Sequence, residues 1–189
     1  MTLRNRTKKL FSEELIQMVK EMPFEKVRVS QLCKRCGADR RTFYYHFIDK
    51  YDLVAWIFSE DYISALNAEE GKFTLQHAIN ILEKMYQNRS FYRAVFSDTS
   101  QNAIRNYSYQ YFCDLGTAAM KKHFHLEELS MEMDYAIRAH SHACCELSFE
   151  WLKGDLNYTP RQFATLQYRY MPSELKEAYG ITGEYTLNE

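Results

Sequence analysis

Glycine and proline are scarce in this chain, with 6 and 3 residues among 189. Because these residues end helices and shape tight turns, their scarcity favours long helices and gives little support to flexible linkers. The sequence also lacks a phosphate loop, a glycine-rich nucleotide fingerprint and a nucleophile elbow. We therefore expect no enzyme, no catalytic residues and no cofactor. A small helical enzyme remains the alternative from a different class.

Long apolar runs are absent as well, so the sequence predicts no membrane span and no membrane partner. The charged amino-terminal segment has no apolar core of a signal peptide. Five cysteines, an odd number, in a chain without a secretion signal indicate reduced thiols rather than a disulfide framework. We expect a cytoplasmic protein.

Charge is unevenly distributed, although the formal net charge is only −1. Residues 1–56 hold 12 Lys+Arg against 7 Asp+Glu, a balance of +5, and the remainder holds 12 against 18, a balance of −6. A basic head on an acidic body is typical of a DNA-reading domain joined to a domain that does not touch DNA. Arg4, Arg6, Lys8 and Lys9 are predicted to form a basic arm before the first helix.

Apolar residues recur at spacings of three and four along most of the chain, which predicts an all-α fold. A first helix carries Phe11 and Leu15 on its inner stripe and ends at Pro23. The remaining helices are predicted near 29–36, 40–47, 49–67, 74–88, 90–97, 100–124, 130–153, 160–171 and 173–179.

The segment with the sequence GADRRTFYYHF, residues 37–47, is the most informative of the chain. It predicts a helix-turn-helix in which Gly37 supplies the turn and Asp39 caps the second helix. Phe43 and Phe47 lie four apart and face inward, which leaves arginines and tyrosines outward. Arginine pairs bidentately with guanine, and helices that open in this way can enter the DNA major groove.

Thr42, Tyr44, His46, Phe47 and Lys50 match the consensus of TetR-type bacterial transcription regulators, so the segment resembles the DNA-binding domain of that family. The sequence of this segment is similar to that of the DNA-binding heads in the dihydroxyacetone-kinase operon activator subgroup. The resemblance implies a bacterial regulator with a three-helix head and a helical-bundle body. It also implies the DNA contacts of the following residues: Arg28, Ser30, Arg40, Arg41, Thr42, Tyr44, Tyr45, His46 and Lys50.

Some of these positions also suit roles away from DNA. Arg28 stands where the family often has a Thr or Ser cap, and it is either a phosphate contact or an exposed basic residue. Arg40 and Arg41 also suit a solvated helix end. Tyr44 and His46 also suit packing against the neighbouring helix.

The domain organisation is predicted as a DNA-binding domain over 1–52, a connecting helix over about 49–67, and a ligand-binding and dimerisation domain over 73–189. The polar stretch 69–72, which contains a glycine, is the expected joint.

The last two long helices carry apolar stripes, and their WLKG ending followed by Thr159-Pro160 resembles the dimerising helices of TetR-type bodies. A two-fold dimer doubles the contacts of one short recognition helix, so we expect a homodimer on a palindromic operator. Closure of the protomer's own core is the alternative use of both stripes. The expected interface residues are Met133, Ile137, Leu147, Trp151, Phe163, Leu166 and Tyr170.

Aromatic residues are abundant, with 15 Tyr and 12 Phe, and they suit a pocket for a small organic effector. The expected pocket residues are Tyr107, Tyr111, Phe112, His140 and Cys144. Aromatic stripes at helical spacing also serve as ordinary core.

Metal binding is not expected. Cys33 and Cys36 have zinc-like spacing but no second pair nearby. For His140 and Cys144, packing in the core or at the dimer interface is favoured over a metal or redox sensor.

Two versions of the regulator remain open. One is a repressor released by a small molecule, and the other is an activator that binds a partner protein and has no small-molecule pocket.

Overall fold

The computed structural model of the protein describes residues 3–65, 74–97 and 104–181. Regular structure in these ranges is entirely helical, which confirms the all-α prediction. A 3₁₀ turn at Phe24–Lys26 lies between the first two of ten α-helices. These are α1 Leu3–Glu21, α2 Val29–Arg35, α3 Arg40–His46, α4 Lys50–Ala65, α5 Leu75–Gln87, α6 Arg89–Phe96, α7 Ile104–Phe124, α8 Met131–Lys153, α9 Pro160–Arg169 and α10 Ser173–Ala178.

The basic arm is the main difference from the predicted elements. Arg4, Arg6, Lys8 and Lys9 lie inside α1, which already begins at Leu3. No helix breaker separates these residues from the apolar stripe that starts at Phe11, so the same helix continues through both. The predicted joint at 69–72 lies outside the described residues.

Local signals in the sequence account for several helix boundaries. The Asp39 carboxylate accepts from the Thr42 N–H at 2.6 Å and caps α3. Thr159 and Gln162 cap each other's N–H groups at the start of α9, where Pro160 takes the first helical position. Gly154 ends α8 in the left-handed region, with φ +95°.

The head is built by α1, α2 and α3 around fully buried aromatic side chains. Phe11 meets Phe43 at 5.2 Å and Phe47 at 6.4 Å between ring centroids, both edge to face. Arg35 links α2 to α1 through ion pairs with Glu14 and Glu21. The orientation of α3 is therefore set by its inner face.

Helix α4 joins the head to the body. Trp56 packs on Phe47 of the head, and Phe58 packs edge to face on Phe112 of α7. Asp61 accepts from the Tyr92 hydroxyl at 2.7 Å and from Asn88, which ties α4 to α6. Buried residues of head and body form one continuous apolar cluster.

In the body α6, α7 and α10 pack on α8, and α5 packs on α9. Helix α9 meets α8 through the Gln167–Ser148 hydrogen bond and the Trp151–Phe163 ring contact. Trp151 is buried between Tyr86 and Phe163 and donates its indole N–H to the Tyr158 carbonyl at 2.7 Å. None of the helices in the described ranges is long and apolar enough to cross a bilayer.

Candidate nucleic-acid interface

The turn between α2 and α3 has the geometry that its sequence predicts. Gly37 adopts φ +62°, a region that favours glycine, and Asp39 follows as the cap of α3. The hydrogen bond from the Thr42 backbone is the main reason that the pKa of Asp39 lies below its usual value. The capping carboxylate is therefore ionised at neutral pH, which suits the start of a helix.

The outer face of α3 is exposed. Arg40, Arg41, Tyr44 and Tyr45 all reach the surface, and Tyr44 and Tyr45 are 50% and 71% exposed. The Arg40 guanidinium lies 5.8 Å from the centroid of the Tyr44 ring. Two cations and two phenols thus share one convex face, which can donate hydrogen bonds to base edges and to phosphates.

Two basic residues of α1 extend this face. The Arg4 guanidinium lies 5.9 Å from the centre of the Tyr45 ring, and the Lys8 ammonium lies 5.2 Å from Phe47. The sequence analysis placed both residues on a basic arm before the first helix, so it did not predict that they lie beside α3. Their spacing of four, continued by Phe11 and Leu15, was the signal that they share a helical stripe with the head core.

His46 and Thr42 are half-buried beside this face. Burial, followed by the charges of Lys8 and Arg4, lowers the pKa of His46, and its buried Nδ1 has no hydrogen-bond partner within the described residues. The neutral imidazole can therefore donate or accept one hydrogen bond next to the charges of Lys8 and Arg4.

Ser30 and Arg28 are exposed near the start of α2. The Gln31 side-chain oxygen accepts from the Arg28 N–H at 3.1 Å.

Lys50 packs on the 3₁₀ turn that precedes α2. Its ammonium donates to the carbonyl of Phe24 at 2.7 Å and to those of Glu25 and Val27, and lies 4.4 Å from the Phe24 ring centroid. The sequence could not show that the 3₁₀ turn brings its carbonyl groups to the first residue of α4. Lys50, which is half-buried, therefore ties the start of α4 to the turn that precedes α2, and its predicted phosphate contact stays a prediction.

The body contains a cavity of about 120 Å³ between α4, α5, α7, α8, α9 and α10. Of the residues predicted for a pocket, Phe112, His140 and Cys144 line it. Tyr107 and Tyr111 do not, which corrects that part of the prediction. Their helical stripe turns toward α4, where both rings pack against Phe58. Sequence reasoning missed Ser148 and Gln167 on the cavity wall, because single polar residues carry no periodic signal.

A wider groove of about 670 Å³ runs between α8 and α9. Of the predicted interface residues, four line it: Leu147, Phe163, Leu166 and Tyr170. Tyr135 and Tyr158, which were not predicted, line it as well. Met133 lies instead half-buried against the small cluster of α7, α8 and α10.

Three predicted interface residues belong to the protomer's own core. Ile137, Trp151 and Phe163 are 1–2% exposed. Ile137 faces α7 and Trp151 lies between Tyr86 and Phe163, so neither reaches the groove. Phe163 packs on Trp151 and lines the groove only with its small remaining exposed area. For these residues the apolar stripes of α8 and α9 close the protomer's own core, which was the alternative to a dimer interface.

All five cysteines are free thiols. Cys33 is buried in the head beneath α3, and the Cys144 sulfur lies 3.4 Å from Nε2 of His140. Burial lowers the pKa of His140 to about 4 and raises that of Cys144 to about 12, so both are neutral at pH 7. Across the described ranges no three metal-ligating side chains converge.

Comparison with known proteins matches both parts of the chain. Residues 16–57 match the family model of bacterial regulatory proteins of the tetR family, and residues 74–173 match the TetR model described as a transcriptional regulator C-terminal region. The second match alone spans more than half of the chain.

Two relatives are similar to this chain. The HTH-type dhaKLM operon transcriptional activator DhaS of Lactococcus lactis subsp. lactis (strain IL1403) is 23% identical over 91 residues. That match spans 48% of this chain and 49% of the relative, so only about half of each is aligned. A solved structure of a dihydroxyacetone kinase operon activator DhaS has the same fold, with a TM-score of 0.62 at 16% identity over 90% of this chain and 97% of that one. The two family matches, the helix-turn-helix and the shared fold establish that the chain belongs to the TetR family of DNA-binding transcription regulators.

Proposed function

We propose that the protein is a homodimer that reads a palindromic operator with α3 and whose DNA affinity responds to an effector in the body. The exposed face of Arg40, Arg41, Tyr44 and Tyr45 carries the proposal, because the family is DNA-binding and this face combines cations with hydrogen-bond donors. Arg40 and Arg41 read bases, and the tyrosines, with Thr42, hold the backbone. A bacterial cytoplasmic location follows from this role.

The base-reading role is tested by Arg40→Ala. Loss of a bidentate contact to guanine costs about 1–3 kcal/mol of discrimination, so the variant should bind a selected operator more weakly while random duplex is held almost as before. The operator comes from selection of bound sequences from random DNA. Fluorescence anisotropy at fixed salt measures both affinities.

Arg93→Ala is the matched control, because Arg93 is an exposed arginine of α6 in the body. Its affinity for both duplexes should equal that of the unaltered protein. Equal losses on operator and random duplex for Arg40→Ala would mean that Arg40 contacts the backbone and not a base.

The dimer is proposed to form through the groove between α8 and α9, where Leu147 is 41% and Tyr170 75% exposed. Exposed apolar side chains beside a groove are typical of an unpaired interface. Leu147→Asp should yield monomers in sedimentation velocity and weaken operator binding. Ile63→Asp, at an exposed apolar position of α4, should remain dimeric. A dimer of Leu147→Asp as tight as the unaltered one would place the interface elsewhere.

The sign of regulation has two candidates. The body cavity supports an effector-released repressor. The Lactococcus relative is an operon transcriptional activator, which supports activation instead. Transcription in vitro from a promoter that carries the selected operator distinguishes the two, since added protein either raises or lowers transcript yield.

A further inference from the structure

The body cavity and the dimer groove are separated by a single layer of side chains. His140 and Cys144 of α8 and Gln167 of α9 line both spaces. A molecule in the cavity therefore touches the inner side of the same residues whose outer side faces the groove. No other described residue lines both.

The cavity wall has no ionised side chain. The described residues around it include no Asp, Glu, Lys or Arg, and His140 is neutral because burial lowers its pKa to about 4. A charged ligand would lose its hydration without gaining a counter-charge, which is strongly unfavourable. The site thus selects for uncharged molecules.

The volume limits the size of the ligand. The cavity measures about 120 Å³, and an engineered cavity of about 150 Å³ in another protein holds benzene. Phe58, Phe112 and Phe149 give the wall an aromatic, apolar character. A compact molecule of roughly five to seven non-hydrogen atoms with one flat face fits this space.

Several polar side chains interrupt this wall, and among them Gln167 and Ser148 are hydrogen-bonded to each other. The Gln167 side-chain nitrogen donates to the Ser148 hydroxyl at 3.1 Å and to the Cys144 carbonyl at 3.4 Å, and Ser148 donates to the same carbonyl at 2.6 Å. Within the described residues these bonds engage only the amide nitrogen. A carboxamide also carries an acceptor oxygen, so Gln167 can receive a hydroxyl from a ligand.

We propose that this cavity binds a compact, uncharged, flat molecule with one hydroxyl donated to Gln167, and that its binding tightens the dimer through the wall of His140, Cys144 and Gln167. The inference rests on the proposed homodimer. An occupant supplies contacts that the void lacks and holds the α8 and α9 side chains in one arrangement. The groove then loses less conformational freedom when a second copy docks. Coupling is reciprocal, so the dimer binds the ligand tighter by the same factor.

Phenol is the probe, with benzene as the analogue without a hydroxyl and benzoate as the charged analogue. Isothermal titration calorimetry on the full chain should show phenol binding about tenfold tighter than benzene and no benzoate binding. Saturating phenol should lower the dimer dissociation constant about fivefold in sedimentation velocity. Benzoate bound as tightly as phenol would overturn the charge argument, and absence of phenol binding would overturn the site.

Gln167→Leu tests the hydroxyl contact. Phenol affinity should fall to that of benzene, and benzene affinity should stay within about twofold. If circular dichroism shows that this variant does not fold, Gln167→Met, with an unbranched side chain of similar length, replaces it. Gln110→Leu, at an exposed position of α7, is the control and should bind phenol normally. Unaltered phenol affinity in the Gln167 variant would overturn the assigned contact.

The two proposals fail in distinguishable ways. Phenol bound with an unchanged or weaker dimer overturns the coupling, while operator binding by the ligand-free dimer still supports the proposed function. Ligand-free protein that is monomeric and ignores every selected duplex overturns the proposed function itself.

Discussion

The outer face of α3 in the head and the buried core of the body use tyrosine in opposite ways. In the head, Tyr44 and Tyr45 lie on the outer face of α3 and are at least half exposed. In the body, Tyr92 and Tyr168 are buried, and the Tyr92 hydroxyl is held at 2.7 Å from an Asp61 oxygen. A phenol on a surface displays a donor to a partner, whereas a buried phenol needs an internal acceptor. The same residue type thus marks a candidate interface on α3 and a fold constraint in the core of the body.

Phe43→Ala and Tyr45→Ala, two residues apart on α3, should show the largest difference in stability between the inner and outer faces of this helix. Phe43 is fully buried against Phe11, and its truncation should lower the free energy of unfolding by about 3–5 kcal/mol. Tyr45 is 71% exposed, and its truncation should change stability by less than about 0.5 kcal/mol while weakening operator binding. Denaturant unfolding followed by circular dichroism measures both. Equal destabilisation would show that the outer face of α3 is structural.

Histidine offers a second comparison. Burial lowers the pKa of both His46 and His140, but only that of His140 falls to about 4, from an ordinary 6.5. Above pH 6.5 both folded and unfolded protein hold this imidazole neutral. Between 6.5 and 4 only the unfolded chain takes up the proton, so the free energy of unfolding decreases as the pH falls. The loss from this group is at most about 3 kcal/mol.

His140→Gln should remove that part of the pH dependence. The control is His142→Gln, two residues along α8 at an exposed position. Denaturant midpoints at pH 7 and pH 4.5 give the difference for each variant. A pH dependence of His140→Gln equal to that of the control would show that His140 is accessible to protons in the folded state.

Tyr92→Phe tests what the buried phenol of α6 contributes to stability. It removes the hydroxyl that joins α6 to Asp61 of α4 and leaves that carboxylate with Asn88. Loss of a hydrogen bond to a charged group costs about 1.5–3 kcal/mol. Tyr44→Phe, at an exposed position of α3, should have almost no effect on stability. Thermal melts of the two variants compare these costs, and equal melting temperatures would contradict the role of the α4–α6 link.

Much of the head was predictable because its signals are local. Gly37, Asp39 and the spacing of Phe43 and Phe47 define a turn, a cap and an inner face within eleven residues. Phe47 was also expected to face the core, and it does so beside Trp56. The Lys50 role was not predictable in this way, since the carbonyl groups that it contacts lie more than twenty residues earlier.

Local signals in the sequence predict the all-α class, most helix boundaries and the outer face of α3, because hydrophobic period, caps and breakers act over one or two turns. The packing of distant helices closes the protomer with Trp151 and Phe163, turns Tyr107 and Tyr111 toward α4, and sets Gln167 between cavity and groove. A period of 3.6 residues indicates which side of a helix is apolar. The neighbour that covers this side depends on how distant helices pack.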